Sequence, residues 1–261
     1  MARKFPGREV CRVLKVDLNA DLGEGCPYDA DLLDLVSSAS IACGAHAGDQ
    51  RTMRLTIEAA LTRRVLVGAH PGYPDRAGFG RRETGANPAE IRTLMLEQLG
   101  VFAAACADSG TGFTHVKPHG ALYNRAMADP AAAESIARAV VETDPSVVVL
   151  CMPGSALQLA AESAGLRAAR EAFLDRAYQT PAQLVPRADA RALVSDPQAA
   201  AGIAERMVLE HVVTSVEGIV YPIHPDSLSV HGDNPDSVAL LRAARERLQS
   251  RGVTIAPFAR R

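Results

Sequence analysis

Seven short apolar runs alternate with helical patterns along this chain, and that alternation narrows the fold more than any other feature. The runs cover residues 10–18, 37–43, 64–69, 113–117, 146–151, 168–173 and 227–231, with 252–257 as an eighth candidate. Between them, 49–62 and 88–108 read as amphipathic helices. In the second, Ile91, Met95, Leu99, Phe102 and Cys106 recur at helical spacing. Strand–helix alternation implies parallel strands joined by right-handed crossovers. Seven or eight such units fit a closed or nearly closed parallel β/α barrel better than an open doubly wound sheet, which stays as the alternative. The 261 residues suit one barrel of roughly 250. No repeat, low-complexity tract or linker divides the chain, so a single domain over 1–261 is expected, with 1–12 as an N-terminal extension.

Four helix starts share one chemistry. Asn87-Pro88, Asp129-Pro130, Asp196-Pro197 and Asn234-Pro235 each place a capping side chain before a proline at the first helical position. Glu90 completes a variant of the capping box with Asn87. These residues are accounted for as caps and are not counted as catalytic.

Charge and composition exclude several function classes. A net charge of -2 lacks the basic footprint of a nucleic-acid binder. No apolar run approaches the ~20 residues that span a bilayer. The basic N-terminus is followed by no apolar signal core, so a cytoplasmic location is expected. Five scattered cysteines (Cys11, Cys26, Cys43, Cys106 and Cys151) fit free thiols in a reducing compartment better than a disulfide frame or a zinc site. Cys43 reads as a small buried hydrophobe, with a nucleophile as the alternative.

The ionisable residues cluster at the ends of the expected strands. Asp17-Leu18-Asn19-Ala20-Asp21-Leu22-Gly23-Glu24 follows the first apolar run, and in an extended strand Asp17, Asn19 and Asp21 point one way. His46 follows the second strand, and His70 the third, leading to Arg81 and Arg82. Lys117 and His119 follow the fourth, then Tyr123 and Asn124; later come Arg176, and His231 with Asp233. In a parallel barrel the carboxyl-terminal strand ends share one rim, where chemistry sits. One histidine after a strand is ordinarily structural, but core filling does not gather carboxylates, imidazoles, a lysine and glycines on one rim. His115, Lys117 and His119 share a strand face if the strand continues through Pro118. They then serve either as two ligands of a divalent metal, with Asp17 or Asp21 opposite, or as an anion cradle around Lys117.

At these residues the chain resembles the LamB/YcsF family. The likeness rests on Asp17–Glu24, Ile41–Asp49 (I-A-C-G-A-H-A-G-D), Gly68–Asp75 (G-A-H-P-G-Y-P-D), Gly78–Arg82 (G-F-G-R-R), His115–Asn124 (H-V-K-P-H-G-A-L-Y-N), Asp175–Tyr178 (D-R-A-Y) and Val230–Asp233 (V-H-G-D). It spans nearly the whole chain after the first dozen residues. Two departures are visible: a short segment after Glu24 with Ala45 where phenylalanine is common, and a trimmed stretch after Tyr178. The resemblance implies a seven-stranded barrel similar to the glycoside hydrolase/deacetylase superfamily. It also implies an enzyme that converts 5-oxo-L-proline to L-glutamate, a 5-oxoprolinase driven by ATP hydrolysis, in a complex with partner subunits B and C.

That reaction opens an unstrained amide. Phosphorylation of the carbonyl oxygen makes the ring carbon electrophilic, and water then attacks. The expected division of roles gives Arg81 or Arg82 the substrate carboxylate and Lys117 the phosphate or oxyanion charge. Asp21 or His70 acts as base and His119 as proton donor. Asp17 and His46 complete the catalytic candidates. Asn19, Glu24, Tyr123, Asn124, Arg176, His231 and Asp233 complete those expected to bind or position substrate. No phosphate-loop motif is present, so ATP is expected mainly on the partners; a divalent metal has no assigned residues. The rival readings are a self-sufficient metal-dependent amide hydrolase or deacetylase and a non-catalytic carboxylate-binding regulatory subunit.

Overall fold

The structure, a computed structural model, describes residues 14–181 and 183–259; Cys11 and the expected extension 1–12 lie outside them. Seven parallel strands form the barrel: β1 (Lys15–Leu22), β2 (Ser38–Ala42), β3 (Leu66–His70), β4 (His115–Val116), β5 (Val148–Cys151), β6 (Arg167–Phe173) and β7 (Ser227–His231). Each pairs with its neighbour in chain order, and β7 returns to β1 with Asp17 opposite Ser227 and Asp21 opposite His231. The ring is therefore closed. The late run gives only β8 (Thr254–Ile255), which pairs with Lys15 and Val16 at the start of β1 outside the ring. Of the seven-or-eight expectation, seven is the structure's answer.

Helices α1 (Asp29–Leu33), α2 (Gln50–Thr62), α3 (Pro88–Asp108), α4 (Gly120–Ala128), α5 (Pro130–Thr143), α6 (Ala156–Ser163), α7 (Pro197–Glu205) and α8 (Ser237–Ser250) accompany the strands. Alternation along β1 explains the layering. Val16, Leu18, Ala20 and Leu22 face outward into the buried apolar layer beneath the helices, alongside Ile57, Leu99 and Leu241. Each such leucine contributes about 1.5–3 kcal/mol by leaving water. Three of the four expected caps form, with Asn87 and Glu90 completing a capping box. The fourth is displaced: α8 starts at Ser237, and Asn234 instead accepts from the Asp236 amide and donates to Asp175.

Inside the ring two materials share the space. Leu66, Val148, Leu150 and Ala169 form a small apolar cluster that Phe258 and Ala259 cap at the amino-terminal end. The other strands fill the interior with polar groups. The segment between β6 and β7 carries two antiparallel hairpins, Tyr178–Thr180 with Gln183–Leu184 and Val212–Thr214 with Val220–Pro222. The first lies over the opposite end, the mouth. No helix among the described residues is long and apolar enough to cross a membrane.

Two sequence expectations fail in instructive ways. The Asp17–Glu24 stretch is not a strand end: β1 runs on to Leu22, so its polar residues descend the barrel wall instead of sharing a rim. The strand expected at 113–117 stops at Val116 because Pro118 has no N–H for a ladder. His119 turns away to begin α4, and His115 stays below, against Thr114, Ser40 and Phe258. The two histidines do not form a ligand pair.

Candidate active site

Lys117 stands at the floor of a cavity of about 620 Å3 at the mouth. Its Nζ donates to Asp21 Oδ1 at 2.7 Å and to Ser229 Oγ at 3.0 Å, and lies 2.7 Å from Glu171 Oε1. The lysine is buried, which favours its neutral form, but Asp21 and Glu171 outweigh that and hold it well above its ordinary value. Burial likewise pushes Asp21 up, but its interactions with neighbouring His70 and with the Lys117 cation prevail and hold it well below the usual carboxylate range. Tyr123 donates its hydroxyl to Glu171 Oε2 at 2.9 Å. The floor is thus a fixed cation between two carboxylates.

Cations also ring the opening: Arg81, Arg176 and Arg187 line it. Arg81 is held 2.6 Å from Asp233 and lies 4.8 Å over the Phe79 ring. Arg176 donates to the carbonyls of Val185 and Ala192. Burial, with Arg187 nearby, lowers Arg176 to about 10. His231 donates from Nδ1 to Asp175 at 3.0 Å and stacks on Phe173 at 5.2 Å. Asn124 lines the rim and is exposed.

Beside this floor lies a second group. Glu24, His46, His70 and His119, all buried, each bring one ligand-type atom within 4.8 Å of the others. The loops after β1, β2 and β4 supply Glu24, His46 and His119, and the last residue of β3 is His70. His46 and His119 stack with ring centres 3.7 Å apart, and His46 Nε2 lies 3.1 Å from Glu24 Oε1. Burial pushes Glu24 well above its ordinary value and His46 down to about 3; His119 also falls, by burial and then by the neighbouring His70. Glycine makes the stack feasible. A Cβ on Gly80, whose φ is +64°, would sit 2.8 Å from His46 Cβ and 2.9 Å from His119 Cδ2.

The candidates thus fall into distinct places. Asp21, His70, Lys117, His119, Arg81, Tyr123, Asn124, Arg176 and His231 line the cavity. Asp233 reaches it through Arg81, and Glu24 and His46 lie behind it in the second group. Asn19 is buried midway down the barrel, bonded to Ser38 and Ser40. Asp17 sits at the amino-terminal end, accepting from Ser37, Ser38 and Ser227; burial raises it to about 7. Arg82 turns outward, 67% exposed, onto Asp75. Cys43 is buried and its thiol pushed up, which suits a packing role.

Two residues escaped the sequence reading: Arg187, which lines the cavity, and Glu171, buried beneath it against Lys117. Glu171 carries no motif, but it occupies an inward position of β6, between Ala169 and Phe173, where a charge calls for a partner. Arg187 lies in a loop with no pattern to mark it. A larger groove, about 920 Å3, lies on the outer surface between α5 and α6 and is bordered by none of the candidates, so size alone does not locate the chemistry.

Comparison with known proteins agrees with this fold. The LamB/YcsF family profile matches residues 16–261. The chain is 42% identical over 249 residues to the 5-oxoprolinase A-subunit of Heliobacterium modesticaldum, covering 93% of this chain and 97% of that one. It is 46% identical over 246 residues to the 5-oxoprolinase A-subunit of Methylococcus capsulatus, covering 92% and 95%. The crystal structure of a lactam utilization protein from Thermus thermophilus matches with a TM-score of 0.87 at 41% identity, covering 93% and 99%.

Proposed function

The chain belongs to the LamB/YcsF family, and on that premise we propose that it acts as the A-subunit of a 5-oxoprolinase, opening the lactam of 5-oxo-L-proline to L-glutamate. The observation that carries this reading is the buried Lys117 cation at the floor of a mouth ringed by Arg81, Arg176 and Arg187. A small anionic ring fits such a place: its carboxylate meets the arginines while its carbonyl points toward the lysine.

In this reading ATP transfers a phosphoryl group to the lactam oxygen. Water adds to the ring carbon, the C–N bond breaks with its electron pair on nitrogen, and nitrogen takes a proton. A second water then hydrolyses the resulting acyl phosphate: water supplies both oxygens of the glutamate side-chain carboxylate, and phosphate leaves with the former carbonyl oxygen. Lys117 stabilises the negative charge that builds on that oxygen, in a place where preorganised charge is most effective. Asp21, ionised and lining the cavity, orients the attacking water. Arg81 pairs with the substrate carboxylate, and Arg82 has no part because it faces away. His119 is not the proton donor: it is buried and neutral, and its Nε2 proton is committed to the Phe79 carbonyl. Asp17 holds the lower barrel together and stays out of the reaction.

The sequence contains no phosphate-loop motif, so the nucleotide is placed mainly on partner subunits B and C, in the cytoplasm. The chain contributes one barrel unit to the assembly. The test is glutamate release from 5-oxoproline and ATP with each subunit omitted in turn. Release should require this chain, its partners and ATP together. Ring opening by the lone chain without ATP would replace this reading with the self-sufficient amide hydrolase.

A further inference from the structure

The hydrogen bonds around His70 and His119 leave a contradiction that something positive must resolve. His70 Nδ1 lies 2.7 Å from the Lys117 carbonyl oxygen, and His119 Nε2 lies 2.8 Å from that of Phe79. A carbonyl only accepts, so both of those nitrogens carry the proton. In the neutral rings the opposite nitrogens then carry lone pairs. Those two, His70 Nε2 and His119 Nδ1, face one another at 3.0 Å.

The same point is approached by two further donors. Glu24 Oε1 lies 3.3 Å from His119 Nδ1, 3.9 Å from His70 Nε2 and 3.1 Å from His46 Nε2. Four ligands around a zinc-like ion, at bond lengths of about 2.0–2.2 Å, stand roughly 3.3–3.6 Å apart along the tetrahedral edges. The observed separations straddle that range. Outer-nitrogen donation to backbone carbonyls is also how metal-bound histidines are held in orientation.

We infer that Glu24, His46, His70 and His119 form a binding site for one divalent transition-metal ion of the zinc type. Three imidazoles and one carboxylate suit such an ion and suit calcium or magnesium poorly. Each ligand comes from a different strand–loop junction, so the ion ties the four junctions together behind the cavity floor. Because His70 and His119 also border the cavity, one side of the site looks toward bound substrate. The inference rests on donor geometry alone and stands whether or not the substrate is 5-oxoproline.

The test uses the full chain, stripped with chelator and titrated with cobalt(II), then zinc(II). The expected result is one equivalent of cobalt per chain, with the visible absorption of a low-coordinate site that zinc abolishes. Glu24→Gln and His119→Gln should each weaken binding by at least ~100-fold, more than the ~10–100-fold typical of outer partners. His231→Gln, outside the cluster, should leave it unchanged. Nitrogen NMR of the wild type supplies a readout that does not depend on the variants folding. Zinc should move His70 Nε2 and His119 Nδ1 while the protons on His70 Nδ1 and His119 Nε2 persist. A wild-type chain that takes up no stoichiometric cobalt overturns the inference, and so does binding that survives both cluster variants. The cluster would then be held by protons, with a His70 imidazolium donating to His119.

Discussion

Lys117 and Asp21, 96 residues apart in the chain, meet at 2.7 Å with both side chains almost wholly buried. Neither charge is tolerable alone. Breaking a buried pair by removing one partner typically costs ~3–5 kcal/mol, so this contact fixes the mouth's geometry as well as its charge.

Lys117→Met keeps the bulk of the side chain and removes the charge. It should lower glutamate release by the assembled complex at least ~100-fold, the scale of losing one preorganised charge at a reacting oxygen. It should also destabilise the fold by ~3–5 kcal/mol in urea unfolding, because Asp21 and Glu171 are left uncompensated. Adding Glu171→Gln should recover part of the stability and none of the rate. Near wild-type turnover in Lys117→Met would remove the lysine from the mechanism.

Arg81 and Arg82 are neighbours in sequence with opposite orientations. Arg81→Ala should raise KM for 5-oxoproline by ~10–100-fold, since hydrogen bonds to charged groups are worth ~1.5–3 kcal/mol. Arg82→Ala should change KM less than about twofold, as removal of an exposed pair usually does little. Steady-state kinetics on the two variants decides between them.

Asp17 gives the barrel a pH dependence of known sign. Its folded value, about 7, lies above the ordinary value of 3.8. Between those values the folded chain holds a proton that the unfolded chain has released. The contribution to stability is therefore complete below about pH 4 and is lost as pH rises to about 7. Asp17→Asn should flatten the fall in unfolding free energy between about pH 4 and pH 7 relative to wild type. An equal fall in both proteins would show that Asp17 is ionised when folded.

Phe258 caps the lower apolar cluster and touches His115 with ring centres 5.3 Å apart. Phe258→Ala should cost about 2 kcal/mol, less than the ~3–5 of a fully buried phenylalanine, because the ring is only partly covered. KM and kcat should stay within about twofold at temperatures where the variant is folded. A selective loss of kcat would mean that the two ends of the barrel are coupled.

The barrel is legible from strand–helix alternation, and much of the site from polar residues after strands. Lys117, His70 and His231 are examples: each ends or follows a short apolar run, and each lines the mouth. The misplacements have local causes. Asp17 and Asn19 read as rim residues because apolar residues give way to polar ones there, whereas β1 continues to Leu22. The barrel wall accepts them because facing serines satisfy every acceptor. A two-residue period pairs His115 with His119, and Pro118 interrupts it. Asn234 reads as a helix cap, but its amide is used on Asp175, a tertiary contact that no local pattern encodes. Arg187 has no signal at all, because its loop acquires a place only once the hairpin folds over the opening.

The Phe258 plug makes the barrel a cul-de-sac. In the proposed reaction, reactant and product must share one doorway, so traffic is sequential: glutamate has to depart before the next lactam can come in. A neighbouring subunit seated over that doorway would control admission and discharge together, and blocking it would silence the chain without disturbing a single residue inside.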